Sequence, residues 1–145
     1  MIEQRRETAP RPAGDRVGPP AQAVFPTGPE VAHQARAYVR ALMAYDAPEI
    51  AEDRLDDVLL VVSELVTNAY LYGTDPGNSV LVTVVTTTER VRVEVDDSCR
   101  RRPHLRRTSG ERVRGRGLHI VGALAARWGV DDRPFGKKVW AEVAR

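Results

Sequence analysis

The chain has 145 residues, 42% hydrophobic and 29% charged, with a net charge of +2, the make-up of one ordinary globular domain. No apolar run approaches the ~20 residues needed to cross a bilayer, and the N-terminus lacks the apolar core of a signal peptide, so a cytoplasmic location is expected. Cys99 is the single cysteine, which excludes an internal disulfide and a cysteine metal cluster, and the scattered His33, His104 and His119 suggest no zinc site.

Residues 1–20 are rich in Pro, Arg, Ala and Gly without an apolar period and read as a disordered arm, leaving 21–145 as the folded domain. A short extended piece, Ala23 to Pro26, follows. Thr27-Gly-Pro-Glu30 fits a capping box, with Thr27 as the cap and Glu30 reaching back. A first helix is predicted over about 28–44, with Val31, Ala35, Tyr38, Leu42 and Met43 inward. A second runs over about 51–72. Its apolar positions, Leu55, Val58, Leu59, Val62, Leu65, Val66 and Ala69, recur at helical spacing, while Asp57, Glu64 and Asn68 fall on the opposite side.

Turn residues at 73–78 end this helix, and two strands come next. Val80 to Thr86 is largely β-branched, and Val91-Arg-Val-Glu-Val95 alternates strictly, so one face is buried and the other wet. Residues 100–116 hold eight arginines against the single acid Glu111, a local charge of +7, so the remainder of the chain carries −5. Such a segment attracts an anion: a nucleotide phosphate, a nucleic-acid backbone or an acidic partner. A third helix is predicted from Gly117 to Arg127, then strands at 128–131 and 138–143 joined by a turn. The order gives an α+β fold, a two-layer sandwich with a mixed, mostly antiparallel sheet and three helices on one face.

Glu64 and Asn68 stand one helical turn apart. An Asn oxygen suits Mg²⁺, which takes few protein ligands and completes its shell with substrate phosphates, and a neighbouring Glu can orient or deprotonate a nucleophile. The same pair also suits a polar helix face meeting water. Asp96-Asp97 closes the alternating strand, where an acid can accept a hydrogen bond from an exocyclic amine or simply start a turn. Gly115-Arg116-Gly117 opens the third helix, and glycines there let backbone N–H groups approach a phosphate, although no Walker loop is present. Trp128 and Trp140 read as core or hairpin packing, and His119 as a helix-surface residue.

The stretches VVSELVTNA (61–69), VRVEVDDS (91–98), GRGLHIVGALAARWGV (115–130) and GKKVWAEV (136–143) resemble the histidine-kinase-like (Bergerat, or GHKL) ATP-binding fold, and within it the anti-sigma-factor serine kinases and their relatives. The resemblance covers about residues 23–144. It implies that Asn68 holds Mg²⁺ on the phosphates of ATP, that Glu64 is the catalytic carboxylate, and that Asp97, rather than Asp96, bonds the adenine amino group. It also implies that Gly115, Arg116, Gly117 and Leu118 border the triphosphate, and that residues 99–116 form the lid over the nucleotide. The implied function is an ATP-binding regulator, a serine kinase acting on a small anti-anti-sigma (STAS-type) protein and binding a sigma factor. Relatives are often dimers, so the resemblance allows a homodimer. The alternatives are a non-catalytic regulator of the same fold that sequesters a protein, and a nucleic-acid binder using the arginine run, which lacks aromatics for base stacking. Two departures from the family pattern stand out. Ser98-Cys99-Arg100 replaces the usual glycine-rich turn, and Lys138 stands where relatives commonly have a Thr near adenine.

Overall fold

A computed structural model of the chain describes residues 18–73, 77–97, 119–134 and 136–145. Most of the proposed arm (1–17) and the lid segment with Cys99 (99–116) lie outside the described residues. Gly18 to Pro20, the end of that arm, lie against the first helix: Gly18 sits on the Tyr45 ring, and the Tyr38 hydroxyl donates to the Pro20 carbonyl.

The elements run β1 (Gln22–Pro26), α1 (Val31–Asp46), α2 (Glu52–Asn68), a π-helical turn (Ala69–Gly73), β2 (Ser79–Thr86), β3 (Arg90–Asp97), a helical stretch at 119–124 that we call α3, β4 (Arg127–Arg133) and β5 (Gly136–Ala144). The strands form one sheet in the order β1-β2-β3-β5-β4. Every pairing is antiparallel, so the sheet is not mixed as the sequence suggested. The reason is topological: β4 runs parallel to β3, but β5 returns between them, so the two never pair.

The central strands β2 and β3 form because valine is their commonest residue. β-branched side chains lose little freedom on a pleated surface and pack well there. Alternation then sorts the two faces. Val80, Val82 and Val84 of β2, Val91, Val93 and Val95 of β3, and Ala141 and Val143 of β5 are buried toward the helices. They meet Val31, Ala35, Val39, Leu42 and Met43 of α1 and Val58, Leu59, Val61, Val62, Leu65 and Val66 of α2 in one core. Val121 of α3 is buried in the same core, and Leu124 packs against it, so all three helices cover one face. At roughly 1.5–3 kcal/mol per fully buried side chain, this layer is the main stabilising term.

The predicted capping box does not form. α1 starts at Val31 with Glu30 as an uncapped N-cap. Thr27 instead gives both its backbone N–H (3.0 Å) and its hydroxyl (2.8 Å) to the Asn78 carbonyl, which ties the end of β1 to the start of β2. Tyr38 is only partly buried and tilts against Phe25, while Val39 takes the core position. The second helix keeps α geometry only to Asn68 and then widens into the π-helical turn. Among the described residues, no helix is long and apolar enough to cross a membrane.

Candidate nucleotide site

The site is built on the α2–β3 contact. α2 is anchored on both sides of its polar strip. Its core flank packs on β3 and β5, and on the flank facing α1 the Ser63 hydroxyl accepts a 2.7 Å hydrogen bond from Arg36. Glu64 and Asn68 lie ~100° and ~140° round the helix from Ser63, away from α1. Both are half-buried, on one face and one turn apart. Asn68 is the last α-helical residue, and the π-helical turn directly after it touches β3. π-helical turns widen the backbone at a cost in hydrogen-bond geometry and recur at functional sites.

β3 ends on Asp97. Strand alternation places its side chain on the helix side with Val91, Val93 and Val95, where it is 6% exposed. The register sets Lys137 of β5 opposite it, with Nζ 3.9 Å from Oδ2. Asp96, one residue earlier, must face the other way. Its carboxylate lies on the open face, 3.1 Å from the Arg133 Nε. That contact is bent, so Asp96 Oδ1 is buried without a well-formed hydrogen bond. Burial raises the Asp96 pKa above its ordinary 3.8, Glu94 adds to the rise, and Lys138 and Arg133 oppose it. Of the two acids, only Asp97 shares the helix side with Glu64 and Asn68.

Gly115, Arg116, Gly117 and Leu118 lie outside the described residues. His119, just beyond, is exposed at the start of α3. Lys138, expected near the adenine position, is on the opposite face, where its Nζ donates to both Glu94 oxygens at 2.9 and 3.1 Å. The residue beside Asp97 is Lys137, and strict alternation through Lys137, Val139, Ala141 and Val143 is the signal that identifies it. Trp140 is not a core residue either. It lies on the open face over Gly129, as hairpin packing, and Trp128 is 40% exposed.

The donor set fits a purine nucleotide better than a bare metal. A buried carboxylate facing the layer accepts from an amine, and a half-buried amide oxygen on the same side offers one hard ligand. Among the described residues no group of three or more His, Cys, Asp or Glu side chains could hold a metal ion, so a Mg²⁺ here would depend on phosphate oxygens for most of its shell.

Comparison with a known structure finds the same fold. The structure of the RsbU and RsbW domains of Rv1364c from Mycobacterium tuberculosis aligns with a TM-score of 0.62 at 17% identity, over 86% of this chain and 33% of that one. The chain thus spans about a third of that protein's length. The histidine kinase domain of the blue-light-activated histidine kinase EL346 from Erythrobacter litoralis aligns with a TM-score of 0.47 at 20% identity, over 78% of this chain and 60% of that one. No curated protein matches the sequence. Residues 25–143 match the histidine kinase-like ATPase domain, and the chain belongs to that family.

Proposed function

We propose that the chain binds Mg-ATP between α2, α3 and the sheet and acts as the serine kinase of a partner-switching system. The observation that supports this most is the division of Asp96 from Asp97. The strand end sends one acid into the layer, on the side where α2 presents Glu64 and Asn68.

In this reading Asp97 accepts a hydrogen bond from the adenine amino group, and Asn68 offers its amide oxygen to the metal. Gly115, Arg116, Gly117 and Leu118 border the phosphates. Bound Mg²⁺ supplies charge neutralisation on the phosphate oxygens. Glu64 takes the proton of a serine hydroxyl on a small anti-anti-sigma partner. The serine oxygen bonds to the γ-phosphorus as the bond to the β-phosphate oxygen breaks, leaving ADP and a phosphoserine. Positioning and electrostatics supply most of the rate. A sigma factor is the second partner, held when the first is phosphorylated.

The test is label transfer from γ-labelled ATP to STAS-type partners, run with Glu64→Gln as control. Transfer lost in the control supports the kinase reading. Label that stays on ATP across a full set of partners rejects it. Lys137 favours a second reading. A cation 3.9 Å from Asp97 competes with adenine for the same carboxylate and suits a protein-sequestering regulator that binds ATP weakly or not at all. Calorimetry with Mg-ATP separates the two.

A further inference from the structure

The second face of the sheet, away from the helices, has no layer over it among the described residues. Its side chains fall into rows set by the strand register. One row across β2, β3, β5 and β4 is Val85, Arg92, Glu142 and Arg127. Arg90 stands one step nearer the sheet end, beside Ala144. The next row inward is Thr83, Glu94, Trp140 and Gly129, and the one after is Leu81, Asp96, Lys138 and Asp131.

Charge is not uniform along these rows. Glu142 is 1% exposed although it belongs to the open face, because arginines close over it. It accepts from Arg90 at 2.8 Å and from Arg92 at 3.1 Å, and Arg127 Nε stands 3.8 Å away. Glu142 neutralises one of these three charges and Glu94, 3.6 Å from Arg92 Nε, offsets part of a second, so the surplus at this end rests on Arg90 and Arg127. Burying a single carboxylate does not require three arginines. Their side chains remain 33%, 27% and 37% exposed, so donors are left for an outside acceptor. The guanidinium carbon of Arg92 also lies over the Trp140 ring, 4.2 Å from its centroid, a cation–π contact that restrains it. The far end is the reverse, with Glu94, Asp96 and Asp131 against Lys138 and Arg133.

We propose that the Arg90–Arg92–Arg127 end of this face, with Trp140 as its floor, docks a short acidic segment of a partner protein. The cluster is pre-ordered by Glu142, so little side-chain entropy is lost on binding. Arg and Trp are the residue types that dominate interface energetics, and carboxylates are met bidentately by guanidinium groups. Val85, 44% exposed beside Arg92, adds an apolar contact at the rim. The acidic far end explains why the ligand is short and is a protein. An extended polyanion such as a nucleic acid would run onto Glu94, Asp96 and Asp131, whereas a protein can present acids to one end and bases to the other. The surface lies opposite the nucleotide side and does not depend on the kinase reading.

The test uses the full chain and a ten-residue glutamate peptide at physiological ionic strength. Affinity is read by calorimetry, and the Trp140 indole N–H by NMR. Arg90→Gln/Arg127→Gln keeps Arg92 on Glu142, so the fold is retained, and melting checks this. The peptide is expected to shift the Trp140 signal, and the double variant to bind it about tenfold more weakly. Arg106→Gln/Arg107→Gln, in the arginine-rich segment, is expected to leave affinity unchanged. Absence of binding, an unmoved Trp140 signal, or equal losses in both variants overturns the proposal. Tighter binding of a duplex oligonucleotide through Arg90 and Arg127 overturns it in favour of nucleic acid.

Discussion

Gly129→Ala tests the packing on which the open face rests. A Cβ built at Gly129 falls 2.8 Å from Cζ2, 2.9 Å from Cε2 and 2.9 Å from Nε1 of Trp140. Carbon contacts are most favourable near ~3.5–4.0 Å, so the indole must retreat by ~0.6 Å or more. It cannot bend, and Arg92 lies across it, 4.2 Å from the ring centroid. Overpacking of this kind costs ~1–3 kcal/mol. Loss of the cation–π contact adds ~0.5–1 kcal/mol. The reduced freedom of the unfolded chain returns ~0.4–1 kcal/mol. A net destabilisation centred near ~2 kcal/mol is expected, or ~4–8 °C in Tm for a domain of this size. Thermal melts of Gly129→Ala, Trp140→Val and the double variant form a cycle. The glycine substitution should cost little once the indole is gone. An equal penalty with and without Trp140 would refute the steric argument, as would a Gly129→Ala protein as stable as the parent.

Three further outcomes are expected. Asn68→Ala should weaken Mg-dependent ATP binding about tenfold or more, measured by calorimetry with and without Mg²⁺, and leave the unfolding free energy within ~0.5 kcal/mol of the parent, since Asn68 is only half-buried. A large fall in Tm would mark Asn68 as structural. Asp97→Asn should narrow the preference for ATP over GTP in competition binding, and an unchanged preference would remove Asp97 from the site. Asp96 titrates above its ordinary 3.8 because burial outweighs the pull of Lys138 and Arg133. The folded state therefore holds that proton more tightly than the unfolded chain, and the parent loses stability as pH rises from about 4 through the raised value. Asp96→Asn should gain stability relative to the parent over that window, and a difference in ΔG that stays flat from acid to neutral pH would refute this.

Long periodic signals were legible in the sequence. The apolar spacing of α2 located its buried face, although it passed over Val61, which is fully buried, and took in Leu55, which is only partly so, and the alternation at 91–95 identified the two faces of β3. Features that depend on a distant partner were not legible. Thr27 reads as a helix cap because Glu30 follows it, yet the Asn78 carbonyl, 51 residues away, takes its hydroxyl. Nothing in Ala69–Gly73 announces a π-helical turn, since helical spacing hardly distinguishes it from continued α-helix. Lys137 and Lys138 are adjacent and chemically alike, and only the register with β3 decides which one meets Asp97. For the candidate nucleotide site, the α2 pair and the strand-end acid were readable as residue types. Their common side of the sheet required the fold.

The sheet separates two kinds of chemistry by a period of two. On β3 the odd-numbered residues, Val91 to Asp97, meet the helices, and the even-numbered ones, Arg90 to Asp96, meet solvent or the arginine network. A one-residue slip of β5 against β3 would exchange Lys137 with Lys138 and Trp140 with Ala141, turning the Glu142 carboxylate toward the helices and Val143 out of the core. Several features hold the register against that slip. Lys138 grips Glu94, Glu142 holds Arg90 and Arg92, and Trp140 fits only over Gly129. These contacts all lie on the open face, while the register they fix sets which residue stands beside Asp97. The open-face contacts thus fix, from behind, which side chains the helix side receives around Asp97. Substitutions at Arg90 and Arg127 leave the Arg92–Glu142 bond, the Lys138–Glu94 pair and the Gly129–Trp140 fit in place, so the register should hold and ATP affinity should stay intact.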